Sequence, residues 1–180
     1  MNIYIIAGPP GIGKSTGGSK FIPKRTTVID HDLAAYQYKK EGFSDYKELG
    51  IMSGNQQIRS NLFAKESFAL ELNLGFESHY DYLKSLANFD SSNKVHLILF
   101  FTDTLNLCLT RANIRHEKGG HLVKPEIVTE MYDKTIPLLK ENISIFKSMR
   151  FIDITNENVS RVTANNPPNW VKDNDLAQYL

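Results

Sequence analysis

The sequence predicts an α/β protein in three layers, with helices on both sides of a central, mainly parallel sheet. Three observations carry this expectation. Ile3-Tyr4-Ile5-Ile6-Ala7 is a continuous apolar run, the pattern of a strand buried on both faces. Gly8-Pro9-Pro10-Gly11 then stops it as turn punctuation. Further along, short apolar runs alternate with helical periodicity, as parallel strands need because each pair requires a crossover.

In chain order, a second strand is expected at Thr26–Asp30, while Tyr36 to Glu48 gives no clear pattern. Ile58, Leu62, Phe63, Ala69 and Leu72 recur at near-helical spacing, so Asn55–Leu72 reads as a helix, followed by a short strand at Leu74–Ser78. Val95–Thr102 is the clearest later strand. Thr102 or Asp103 would cap a helix running to about Lys118. A helix over Glu126–Met149, with Pro137 as a point of kinking, precedes a last strand at Phe151–Ile154. From Thr155 the chain is rich in Asn, with Pro167-Pro168 and a docking segment around Trp170.

The 180 residues read as one domain, a core over about 1–154 and a docking tail over about 155–180. With 41% hydrophobic and 23% charged residues, the chain has the composition of a soluble globule. Its net charge of +1 argues against a protein that coats nucleic acid. Cys108 is the single cysteine and can form no internal disulfide, which fits a reducing, cytoplasmic setting. No apolar stretch approaches the roughly 20 residues of a membrane span.

Gly8-Pro9-Pro10-Gly11-Ile12-Gly13-Lys14-Ser15 matches G-x-x-x-x-G-K-[ST] in full, directly after the first strand. Its glycines let successive N–H groups turn inward around phosphate oxygens. Lys14 would reach the β- and γ-phosphates of ATP, and the Ser15 hydroxyl would ligate Mg²⁺, with Thr16 completing the nucleotide-binding stretch. A helix following the loop would add its N-terminal partial charge. Gly17-Gly18 fits poorly there, since each glycine costs a helix about 1 kcal/mol. Either the helix is packed closely against something bulky, or it starts poorly.

Other nucleotide-binding classes are excluded by their motifs. Asn93-Lys94-Val95-His96 fails the guanine-specifying pattern at its last position. Met52-Ser53-Gly54-Asn55-Gln56-Gln57 resembles a transporter-ATPase signature but lies too near the phosphate loop; it reads as a helix start capped by Ser53 or Asn55. Small kinases remain, whose site is completed by arginines over the transferred phosphoryl. Arg111 and Arg115, four apart, would share a helix face, and Gly119-Gly120 would end that helix and supply a hinge. Taken alone, the same pair also fits a solvated helix end with cations near its C-terminus.

Taken together, these motifs resemble the zeta-toxin-like kinases, a group that includes small predicted ABC-type ATPases. The shared order is Gly8–Ser15, Ile29-Asp30-His31-Asp32, Gly75-Phe76-Glu77-Ser78, Arg111 and Arg115, Gly119-Gly120-His121, Val123-Lys124-Pro125-Glu126 and Tyr132. The resemblance covers roughly Met1 to Ile154 and implies a P-loop kinase fold. It implies an ATP- and Mg²⁺-dependent kinase with a small-molecule hydroxyl acceptor, such as the nucleotide sugar UDP-N-acetylglucosamine, and an antitoxin-like protein partner. By resemblance Asp32 is the general base, Asp30 and Glu77 face the acceptor, Lys14, Arg111 and Arg115 act on the phosphates, and His121 belongs to the hinge. Asp32 also admits the reading of an N-cap residue for the next helix. Asp103 could instead be a Mg²⁺ carboxylate at a strand end, although capping suits it better. The chain departs from the family where Thr129-Glu130-Met131 replaces arginines, and where Ser78-His79 follows Glu77 in place of two threonines. A nucleotide-binding regulatory module with little or no phosphoryl transfer therefore stands as the alternative. Membrane and nucleic-acid partners are not expected; a polynucleotide 5′-hydroxyl kinase is disfavoured because no basic, aromatic-interleaved stripe accompanies the +1 charge.

Overall fold

The computed structural model describes residues 1–120, 122–155 and 159–180. Five strands run parallel: β1 (Asn2–Ala7), β2 (Thr27–Ile29), β3 (Phe68–Leu72), β4 (Lys94–Phe101) and β5 (Phe146–Asp153). A two-residue strand, β6 (Ser160–Arg161), joins antiparallel at the edge, giving the order β2-β3-β1-β4-β5-β6. The helices are α1 (Lys14–Gly17), α2 (His31–Lys40), α3 (Tyr46–Ala64), α4 (Glu77–Asn88), α5 (Leu105–Glu117), α6 (Pro125–Glu141) and α7 (Asn169–Lys172).

Alternation along the strands builds a core on each face of the sheet. Ile3, Ile5, Leu70, Leu97 and Phe151 pack with Leu62 of α3, Leu83 of α4, Leu139 of α6 and Trp170 of α7. Ile6, Ile98, Phe100 and Ile152 pack on the other face with Ile12, Ile22 and, from α5, Cys108 and Ala112. The three layers expected from the sequence are present. Among the described residues, no helix is long and apolar enough to cross a membrane.

Several boundaries differ from expectation. The periodicity over Asn55–Leu72 conceals two elements. Here α3 ends at Lys65, whose left-handed backbone (φ 56°) turns the chain, and the continuous apolar run Phe68-Ala69-Leu70 becomes a strand between β1 and β2. No strand forms at Leu74–Ser78. Leu74 is itself left-handed, and α4 starts at Glu77. The unpatterned stretch from Tyr36 to Glu48 forms the end of α2 and the start of α3. Ser53 and Asn55 cap nothing, because they sit inside α3. There Gly50 and Gly54 let α2 lie against α3: a β-carbon on either would collide with Ala35 or the His31 ring.

Helix α6 runs through Pro137 but stops at Glu141, not Met149. Asn142 closes it, its amide donating to the Leu138 carbonyl at 2.9 Å, and the chain then enters β5. Neither Thr102 nor Asp103 is the N-cap of α5; Thr104 holds that position. Asp103 instead accepts from the backbone N–H groups of Trp170 (2.6 Å) and Asn169 (3.3 Å), fastening α7 to the end of β4. Trp170 lies between the Phe101 and Phe151 rings, and its indole N–H donates to Asp153 at 3.0 Å.

Candidate active site

The phosphate loop leaves the carboxyl end of β1, the central strand, where open α/β sheets place ligands. Gly8 (φ 139°) and Gly11 (φ 80°) are left-handed and pressed against neighbouring backbone: a β-carbon would strike the Phe100 carbonyl at the first and the Cys108 carbonyl at the second. Only glycine fits, so the loop is seated on β4 and α5. The Gly17-Gly18 conflict resolves in both ways at once. The post-loop helix is a single turn followed by a 3₁₀ turn over Gly18–Phe21, and a β-carbon on Gly18 would meet the Ile6 side chain at 2.5 Å. The sequence expectation of a helix field behind the loop is thereby corrected, because one turn supplies little.

Lys14 is buried, and its ammonium donates to the carbonyls of Gly8 (2.7 Å) and Pro9 (3.1 Å) and to Asn73 Oδ1 (2.8 Å). Burial pulls its pKa down to about 8, against the favourable charge of nearby Glu71. Glu71 stands on β3 opposite Ile6 of β1 and accepts from the Ser15 hydroxyl at 2.7 Å. Burial raises the Glu71 carboxyl above the usual range, with Lys14 opposing the rise.

Asp30, Asp32, Glu71, Asn73 and His79 line one cleft with Lys14. The two aspartates differ in employment. Asp30 is the N-cap of α2, accepting from the N–H groups of Asp32 (3.0 Å) and Leu33 (3.1 Å), so capping falls to Asp30 and not to Asp32. Asp32, exposed in the first turn, makes no side-chain hydrogen bond among the described residues. Burial, and then Lys14, lower the pKa of His79, whose Nδ1 is buried with no hydrogen-bond partner among the described residues.

Glu77, expected to face an acceptor, is exposed on the first turn of α4 and lines none of the clefts that open on the phosphate loop. The carboxylate beside the loop is Glu71, which sequence reasoning missed by reading Phe68–Leu72 as helix. Asn73 and His79 were missed as well. An acidic residue closing a short apolar run was the available signal.

Cationic side chains line the adjoining space. Arg111, Arg115 and Lys118 lie on one face of α5 and its C-terminal cap, lining a cavity of about 520 Å³ with Gly11–Gly17, Lys20, Glu71, Ile114 and Val159. That volume is ample for a nucleotide, within the roughly 300–1,000 Å³ of small-molecule sites. Arg115 and Lys118 also line an adjoining cleft with Ser15, Asp30, Asp32 and Tyr36. Lys118, at i+3 from Arg115, extends the pair read from sequence. Gly119 follows in a left-handed conformation (φ 86°), while His121 lies outside the described residues. Tyr132 serves the scaffold: it stacks on Phe101 and donates to the Thr102 carbonyl at 2.7 Å.

The residues present suit Mg²⁺, a hard cation bound by one or two protein oxygens together with phosphate. The Ser15 hydroxyl and Glu71 carboxylate adjoin at the loop. Among the described residues, no three His, Cys, Asp or Glu side chains converge to hold a metal unaided.

The same fold recurs in solved structures. A chain of the AvrRxo1-ORF1:-ORF2 complex with ATP superposes with a TM-score of 0.68 at 15% identity, covering 89% of this chain and 57% of that one. A protein of the Streptococcus pneumoniae PezAT toxin–antitoxin system gives 0.65 at 19% identity, covering 99% and 76%. The chain shares the three-layer α/β fold of these structures. A Chloroflexus aurantiacus protein provisionally described as a kinase gives 0.60 at 14% identity, covering 99% and 98%. The chain thus spans nearly the full length of the Chloroflexus protein and just over half that of the AvrRxo1 chain. No protein-family model and no curated protein sequence matches it.

Proposed function

We propose that the protein is an ATP-dependent phosphotransferase that moves the γ-phosphoryl group of ATP to a hydroxyl of a small molecule. One observation carries this reading: the clefts that adjoin at the phosphate loop are lined by a cationic set, Arg111, Arg115 and Lys118, and by a set of carboxylates, Asp30, Asp32 and Glu71. Triphosphate suits the first set and a hydroxyl that must lose its proton suits the second. The loop N–H groups and Lys14 hold the phosphates. Arg111 and Arg115 neutralise charge that develops on the transferring group. Asp32, unlike the capping Asp30, has its carboxylate available to take the hydroxyl proton. The hydroxyl oxygen bonds to the γ-phosphorus, the bond from that phosphorus to the bridging oxygen breaks, and ADP leaves with the electron pair. Ser15 and Glu71 would hold Mg²⁺, which would supply charge neutralisation on the phosphates.

Resemblance to the zeta-toxin-like kinases supports a nucleotide sugar such as UDP-N-acetylglucosamine as the acceptor, and an antitoxin-like partner. The test is transfer of label from γ-labelled ATP with Mg²⁺ to a panel of hydroxyl compounds led by UDP-sugars. Label on a UDP-sugar that vanishes in Lys14→Ala supports the full reading; label on another compound keeps the kinase and discards the sugar nucleotide. The second reading, a nucleotide-responsive regulatory module, is favoured by the absence of arginines at Thr129-Glu130-Met131 on α6. Tight Mg²⁺-ATP binding without any labelled product would establish it.

A further inference from the structure

An ammonium has three N–H donors, and the fold matches those of Lys14 with three oxygens. Two are main-chain carbonyls of the phosphate loop, fixed by its turn. The third, Asn73 Oδ1, comes from the residue that follows β3, outside the loop. Because an ammonium only donates, Asn73 must turn its carbonyl oxygen toward Lys14. Its two amide N–H donors then face away from Lys14. No described residue accepts from them, and Asn73 lines the cleft that holds Asp32, Glu71 and His79.

We propose that Asn73 is a positioning residue for Lys14 and, through the other end of the same amide, a specificity residue that donates to oxygen atoms of the acceptor. The proposal rests on the phosphotransferase reading above. With only the two loop carbonyls, the Lys14 ammonium would settle back into the loop. Asn73 draws it to the cleft side, where phosphate arrives. On that side an oxygen-rich compound, a polyol or sugar, satisfies the amide donors, whereas an apolar group at the same place leaves them unpaired.

Asn73→Leu keeps the side-chain size and removes both ends of the amide. Asn73→Ser is the milder second variant, retaining an oxygen with shorter reach. The measurements are Mg²⁺-ATP affinity by calorimetry, the Lys14 ¹⁵Nζ resonance, and label transfer to whichever hydroxyl compound the wild-type protein phosphorylates. Asn73→Leu should weaken Mg²⁺-ATP binding about tenfold, displace the Lys14 resonance, and raise the acceptor KM at least tenfold, more than the ATP KM. Asn73→Ser should fall between it and wild type, and decides the matter if the leucine variant does not fold. If wild type transfers label while the folded variants match it in all three readouts, the role of Asn73 is overturned. If wild type labels no compound, the phosphotransferase reading itself falls, and the acceptor role of Asn73 with it.

Discussion

The Ser15 hydroxyl donates to Glu71 Oε1 across 2.7 Å, joining the phosphate loop to the strand beside β1. The pair puts a hydroxyl and a carboxylate where a phosphate-bound cation would sit. Glu71→Gln preserves the size of the side chain and removes its charge. Half-saturation by Mg²⁺ in the presence of ATP should then need about tenfold more metal, as supporting carboxylates are commonly worth 10–100-fold. Binding of ATP in EDTA should not weaken. Titrations with and without the metal check both.

ATP binding should weaken as pH rises through the Lys14 pKa of about 8. The protonated lysine attracts phosphate, so above that pH the free protein must take up a proton to bind. Affinity falls by up to about tenfold per pH unit. Arginine stays charged over this range, so Lys14→Arg should flatten the profile whatever its affinity. Calorimetry between pH 7 and 9 reads the difference.

The two aspartates of α2 should separate cleanly. Asp30→Ala removes an N-cap and should cost about 1 kcal/mol of stability, read by urea denaturation. Asp32→Asn should leave stability within about 0.5 kcal/mol and lower phosphoryl transfer by roughly 10²–10⁴-fold without weakening ATP binding. A transfer rate unchanged in Asp32→Asn would remove Asp32 from the chemistry.

Arg115→Ala should lower kcat for transfer by about 10²–10³-fold with a smaller change in the ATP KM, because the cationic wall acts mainly on charge developing in the transition state. Arg111→Ala should follow the same pattern. A rise in KM at constant kcat for either variant would instead make it a ground-state binding residue.

Trp170→Ala should destabilise the protein by about 3–5 kcal/mol, because the indole fills space between Phe101 and Phe151 and its N–H satisfies Asp153. Asp103→Ala, which strips two backbone N–H groups of their acceptor, should cost about 1–2 kcal/mol. Thermal or urea unfolding measures each.

Much of the candidate site was legible because it is local. Gly8 to Ser15 lie within eight residues, and the apolar run ahead of them has one structural solution. Arg111 and Arg115 were legible for a similar reason, since four-residue spacing on a helix needs no tertiary information. Glu71 was not. Phe68-Ala69-Leu70 follows a helical stretch with spacing compatible with more helix, and only pairing with β1 and β2 makes it a strand whose last residues reach the loop. Asp30 and Asp32 were both visible as candidates. Which one caps α2 depends on where β2 ends, and that is settled by pairing with β3.

By itself, then, the sequence determined the layer architecture and offered Gly8–Ser15 and the Arg111/Arg115 spacing as candidates, all of which rest on short-range pattern. Tertiary structure decided what stands around them: Glu71 at Ser15, Asn73 on Lys14, Lys118 beside Arg115, Glu77 away from the cleft, and Asp103 fastened to the tail. The physical reason is that a buried ammonium or backbone N–H takes its partner from whatever strand or loop the packed sheet brings within about 3 Å, and a linear sequence does not carry that distance.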